Sequence, residues 1–168
     1  GNAIRLTPSY INWRAAAEGR AKTSQLLGPL VGKFDGYRCV VIGNGPSLNQ
    51  TDLSLIQDEY TFGLNRINLL YDRLHEPVTF HLAINRFVMD QFGTEISATP
   101  SIKIFNWRYR RDLAPSEPVA YVAHRPGNTQ ITGNILDGVG GAVSTVTLTA
   151  IDLAYTLGFS EVILIGVD

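Results

Sequence analysis

The chain is poor in the residues that mark several common protein classes. It has one cysteine, Cys39, among 168 residues, so it can build neither a disulfide framework nor a cysteine-based metal site. Charged residues make up only 17% and the net charge is −1, which excludes a general attraction to nucleic acid or acidic membranes. No apolar run approaches the roughly 18 residues of a membrane span. The N-terminus lacks a basic-then-apolar leader pattern. The three histidines, His75, His81 and His124, have no metal-ligand spacing. There is no Asp-x-Asp pair to clamp the metal of many sugar-nucleotide transferases, and no Gly-x-Ser-x-Gly elbow of an α/β-hydrolase. A 45% hydrophobic composition remains, enough for one domain with a sizeable core. The lone cysteine, in a predicted buried strand, reads as a reducing, cytoplasmic setting, with membrane association left open.

What is present alternates. Residues 8–31 read as a helical arm, with Ser9 as a cap and a break at Gly28-Pro29. Runs rich in β-branched and aromatic residues follow at 37–43, 60–64, 78–84, 101–105, 119–122 and 161–167. Helical spacing separates them, after Leu48, around Ile67-Leu70-Tyr71, over 87–92 and over 145–158, with Gly158 as the residue past the last helix. This predicts an α/β, Rossmann-like, doubly wound, mainly parallel sheet with helices on both faces. The division expected is an arm at 1–36 and a nucleotide-binding domain at 37–168. Gly1 in place of Met and a buried strand ending at Gly166-Val167-Asp168 read as a fragment of a longer chain.

The chemistry is expected at the strand ends. In a parallel sheet, ligands sit outside the carboxyl ends of the strands, near the reversal of strand order. The first run enters Gly43-Asn44-Gly45-Pro46-Ser47-Leu48, a tight turn whose N–H groups and Ser47 hydroxyl are candidates for phosphate. It is no dinucleotide fingerprint: Leu48 replaces the third glycine, and Asn65 stands where a ribose-binding acid belongs. Three strands end alike, at Asn44, Asn65 and Asn85, spaced 21 and 20 residues apart. In register, their amides suit a ribose or a base edge. Arg66 and Arg86 follow directly as phosphate candidates, each with a salt bridge as the plainer reading. A second glycine-rich helix entry holds Gly141, Ser144 and Thr145, which either bind an anion or cap the helix. His124, in a predicted long loop, is the candidate catalytic base. Asn106-Trp107-Arg108-Tyr109-Arg110-Arg111 mixes aromatic and basic residues and suits an acceptor contact or an ordinary loop.

Asn-Gly-Pro-Ser-Leu at 44–48, Phe-Gly-Leu-Asn-Arg at 62–66, the strand end at Asn85 and the stretch from Leu153 to Asp168 carry a resemblance. Over 37–168 the chain resembles the bacterial and archaeal MptE-like family named after 6-hydroxymethylpterin diphosphokinase. It is also similar to the related bacterial sialyltransferases of glycosyltransferase family 42. The sialyltransferase resemblance implies a cytidine nucleotide held without a metal by Asn44, Asn65 and Asn85, and by Gly141, Ser144 and Thr145, where the order of Ser/Thr and Gly differs. It implies a general-base histidine beyond Asp168. The pterin kinases carry acids at these strand ends for magnesium and ATP, where this chain has asparagine.

The expectation is therefore a nucleotide-binding transferase domain that uses a sugar nucleotide such as a CMP-sugar and acts on a glycan acceptor in cell-surface assembly. No separate cofactor, metal or nucleic acid is expected, and Asp168 is a further candidate contact. An ATP- and magnesium-dependent diphosphokinase and a non-catalytic nucleotide-binding or assembly module are the alternatives. Self-association is left open.

Overall fold

The computed structural model of the chain describes residues 8–123, 131–137 and 145–168. Among these described residues there are six strands: β1 (Arg38–Ile42), β2 (Tyr60–Leu64), β3 (Phe80–Ala83), β4 (Ile102–Asn106), β5 (Val119–Val122) and β6 (Glu161–Ile165). They form one sheet in the order β5-β4-β3-β2-β1-β6, and every pairing is parallel. The α-helices among the described residues are α1 (Pro8–Ala15), α2 (Ala17–Leu27), α3 (Arg86–Ser97) and α4 (Val146–Leu157). This is the Rossmann-like, doubly wound α/β architecture expected. The order of strands reverses at β1, which lies between β2 and β6.

The strands form where the sequence places β-branched and apolar residues without alternation, because both faces of a parallel sheet are covered. Cys39, Val41, Phe62, Leu64, Phe80, Leu82, Ile104 and Val122 share one core with Leu27 of α2 and Ala150, Leu153, Ala154 and Leu157 of α4. Val40 and Ile42 face the other way, against Leu48, Leu53 and Ile67. Ala83 and Phe105 join Met89 and Ile96 of α3 on that same side.

Two expected helices differ. The segments after β1 and β2 are 3-10 turns, Pro46–Gln50, Leu53–Ile56 and Ile67–Arg73. Each is too short to repeat an apolar face over several turns, and each is shaped by a few contacts instead. Arg73, for example, donates to Leu48 O at 3.0 Å and Thr51 O at 3.3 Å. Ser9 lies inside α1 rather than ahead of it.

The last helix ends as the sequence suggests. Gly158 has φ +94°, and its N–H reaches Ala154 O and Tyr155 O, a left-handed termination that favours glycine. At one edge of the sheet, Thr23 of α2 replaces a missing neighbour strand. Its Oγ1 accepts from Tyr121 N at 3.0 Å and donates to Tyr121 O at 3.1 Å. The other edge, β6, is only partly covered, and Leu164 is 43% exposed.

Candidate functional site

The Gly43–Leu48 turn does something other than cradle an anion with its glycine amides. Gly43 N donates to Ile165 O at 2.9 Å and Gly45 N to Gly166 O at 2.8 Å. Ser47 N donates to Asp168 Oδ2 at 3.3 Å, and the Ser47 hydroxyl donates to Asp168 Oδ1. Leu48 N closes back on Gly45 O, and Pro46 has no N–H. These donors are spent on the end of β6 and on one carboxylate. Ser47's hydrogen bonds hold the Asp168 carboxyl below the usual carboxylate range.

Close approach explains the glycines. A Cβ on Gly43 would lie 2.0 Å from Gly166 O, and one on Gly45 2.3 Å from Asp168 Oδ1. Leu48, at the position of the fingerprint's third glycine, is buried. The room it needs comes from β6 instead: a Cβ on Gly166 would lie 2.3 Å from Leu48 Cγ. The β1/β6 crevice, at the reversal of strand order, is thus filled by the protein itself.

The opening lies one strand over. A cavity of about 370 Å³ is lined by Asn44, Gly45, Asn49, Asn65 and Arg66, with an apolar floor that includes Leu48, Leu69, Leu70 and Val88. Its volume falls in the range of small-molecule sites. Ile42 pairs with Gly63, so Asn44 and Asn65, each two residues on, leave the sheet at one level. Asn44 is exposed.

Asn65 is the built element of this cavity. It is the one non-glycine residue with positive φ, 51°, among the described residues, a conformation asparagine tolerates better than most. Its N–H donates to Leu82 O at 2.8 Å. Its carbonyl accepts from Nε2 of the fully buried His81 at 2.6 Å. The carbonyl can only accept, so Nε2 carries the proton of the ring. The other ring nitrogen, Nδ1, lies 3.1 Å from Thr99 Oγ1. Burial pushes the His81 pKa down to about 4, against the opposing pull of the Asn65 carbonyl. His81 is thus a neutral strut under Asn65. The Asn65 side-chain oxygen is buried and has no partner among the described residues, an unmet acceptor at a cavity wall.

Arg66 supplies charge. Its guanidinium lies over the Phe92 ring at 3.8 Å and meets Glu95 Oε2 at 3.4 Å; its Nε is buried without an acceptor among the described residues. Asn68 also donates to Glu95. The salt bridge and the cavity wall therefore share one side chain.

Other expected residues divide differently. Asn85 is exposed, and its Oδ1 caps α3 by accepting from Phe87 N at 2.9 Å and Val88 N at 3.4 Å. Arg86 pairs with Asp90 one turn on, at 3.2 Å, and does not line the cavity. Thr145 caps α4, accepting from Leu148 N at 3.2 Å. His124, Gly141 and Ser144 lie outside the described residues. Sequence reasoning read Asn106 only as the start of an aromatic and basic loop and missed it as a fourth strand-end asparagine: it ends β4 and caps the next turn through Arg108 N at 3.1 Å. It follows Asn85 by 21 residues, so the same spacing would have found it. Among the described residues, no three His, Cys, Asp or Glu side chains gather as a metal site, and no helix is long and apolar enough to cross a membrane.

No protein-family model and no curated protein matches the chain. Among solved structures, the MAf glycosyltransferase from Magnetospirillum magneticum AMB-1 shares the fold, with a TM-score of 0.56 at 21% identity. The match covers 80% of this chain and 23% of that protein. The chain therefore spans about a quarter of the length of the enzyme it is similar to, and at this identity the likeness is one of fold.

Proposed function

We propose that the chain is the nucleotide-binding domain of a glycosyltransferase-like protein, and that the β1/β2 cavity takes the nucleotide of a sugar nucleotide. One observation carries this reading: two asparagines at the same level and an arginine meet at a small, mainly apolar cavity at the carboxyl ends of parallel strands. The apolar floor suits a base or ribose face. Asn44 and Asn65 offer donors and acceptors to ribose or base edges, and Arg66 offers charge to a phosphate. The fold likeness to a glycosyltransferase supports the class of reaction, since a Rossmann-like sheet alone hosts many. A CMP-sugar donor and a cell-surface glycan acceptor are the specific form proposed.

In that reading the chain's residues hold and orient rather than react. Asn65, fixed by His81, would fix the nucleoside. Arg66 would balance the phosphate charge that grows on the leaving nucleotide during direct displacement at the sugar carbon. Asn85 would contribute through its amide nitrogen, because its oxygen already caps α3. The anion contact that the resemblance implies for Gly141, Ser144 and Thr145 is part of the same proposal.

Calorimetric titration with CMP, UMP and AMP, with and without magnesium, tests it. The expected result is binding of a pyrimidine nucleotide without added metal, weakened about tenfold in Asn65→Gly by loss of a buried amide contact. Binding of ATP alone, and only with magnesium, would overturn it in favour of a diphosphokinase.

A further inference from the structure

A second cavity, of about 550 Å³, lies at the opposite edge of the sheet, between helices α1 and α2 and the segment that joins β4 to β5. It shares no residue with the cavity at Asn44 and Asn65. Lys22, Arg110 and Arg111 bring three cations to it, and Glu117 brings one carboxylate. None of these cations forms an ion pair among the described residues. The Glu117 carboxylate is engaged locally, accepting from Val119 N at 3.1 Å.

The wall between these charges is closely packed. Trp107 is 6% exposed. The Arg110 guanidinium lies 4.4 Å over its ring, and Arg110 Nη1 donates to its carbonyl at 3.1 Å. Tyr121 meets the indole edge-on at 5.8 Å. The indole N–H of Trp107 is buried and has no acceptor among the described residues. On the helix side, Gly19 permits this packing: a Cβ there would lie 2.1 Å from the Trp107 ring. Glycine weakens a helix interior, and here it lets the ring lie against α2. The cavity is thus preformed, with an excess of donors and positive charge over acceptors.

We infer that this cavity is a second ligand site, for an organic anion the size of a monosaccharide or larger, such as a carboxylated or phosphorylated sugar. The three cations neutralise its acidic group, with Arg110 held in place by Trp107 for paired contact. Asn12 and Glu117 meet its hydroxyls. The inference stands on residues separate from those of the nucleotide reading, so either can fail without the other.

Intrinsic fluorescence reads it, because Trp13 and Trp107, the chain's two tryptophans, pack in one cluster beside this cavity. The unmodified chain is titrated with glucuronate, glucose 6-phosphate and neutral glucose. The expected result is a saturable change with one or both acidic sugars and at least about tenfold weaker binding of glucose. A response to glucuronate alone identifies a carboxylate site, and one to glucose 6-phosphate alone a phosphate site. Arg110→Gln with Arg111→Gln should weaken the acidic sugar about tenfold or more, and Lys22→Gln, on the exposed face of α2, about threefold. Asn65→Gly should leave it unchanged. No change with either acidic sugar, equal binding of glucose, or unaltered binding in both Arg and Lys variants would overturn the inference.

Discussion

Two crevices open at the carboxyl end of the sheet on either side of β1, and they have opposite fates. On the β6 side, Gly43 and Gly45 donate to Ile165 O and Gly166 O, Leu48 presses on Gly166, and Asp168 covers Ser47. On the β2 side, Asn44, Asn65 and Arg66 line a cavity of about 370 Å³. Glycines in a βα turn are usually associated with a phosphate, because both uses need a backbone without Cβ. Here the backbone that comes close is the protein's own. Sealing one side leaves the ligand-sized opening to the other, where the side chains are amides and a guanidinium.

The largest expected effect breaks the sealed side. Gly43→Ala puts a methyl group against a backbone oxygen that cannot swing away, and should cost about 3 kcal/mol or more of stability by urea denaturation. Gly45→Ala meets first the Asp168 carboxylate, at 2.3 Å, which can rotate, and less closely the Asp168 backbone oxygen, at 2.9 Å, and should cost less, about 1–2 kcal/mol. Equal losses in the two would remove the distinction between backbone and side-chain closure.

Acid tests the strut beneath the open side. His81 titrates near 4 in the folded chain and near 6.5 when unfolded. Between these values the unfolded chain binds more protons, so stability falls as pH drops from about 6.5 toward 4. The accumulated loss is about 3 kcal/mol, and above pH 7 the neutral ring contributes in full. Denaturation of the unmodified chain and of His81→Gln at pH 7 and pH 4.5 should show a steeper acid loss in the former. Parallel profiles would mean that His81 is not buried and neutral.

Asn65 allows a finer cut. Asn65→Gly keeps the left-handed backbone and removes the amide, whereas Asn65→Ala also strains the backbone at φ 51°. Both should weaken nucleotide binding by a similar factor, but only the alanine variant should lose about 1 kcal/mol of stability. The smallest effect belongs to Asp168→Asn. If the β1/β6 crevice is closed to ligand, nucleotide affinity should stay within about twofold.

The layers of this fold were legible because buried parallel strands write themselves as largely apolar runs, unbroken in Cys39-Val40-Val41-Ile42 and interrupted only by His81 in Phe80-His81-Leu82-Ala83. The expected helices after β1 and β2 were not, since 3-10 turns such as Pro46–Gln50 depend on contacts made by Arg73 and Gly166 from elsewhere. The asparagine spacing brought Asn44 and Asn65 to one level at the carboxyl ends of β1 and β2. It could not separate Asn65, whose oxygen is unsatisfied beside the cavity, from Asn85 and Asn106, whose oxygens cap the next turns. That division follows from backbone conformation and from His81 on a neighbouring strand. The role of Gly43 and Gly45 depends on residues about 120 positions later, beyond the reach of any local pattern.

Backbone amide shifts recorded during a CMP titration of this 18.4 kDa chain test the central claim most directly. The account predicts that the perturbed amides centre on Asn44, Asn49, Asn65, Arg66 and Leu69, around the β1/β2 cavity. Perturbations centred on Ser47, Gly166, Val167 and Asp168, or none at all, would contradict it.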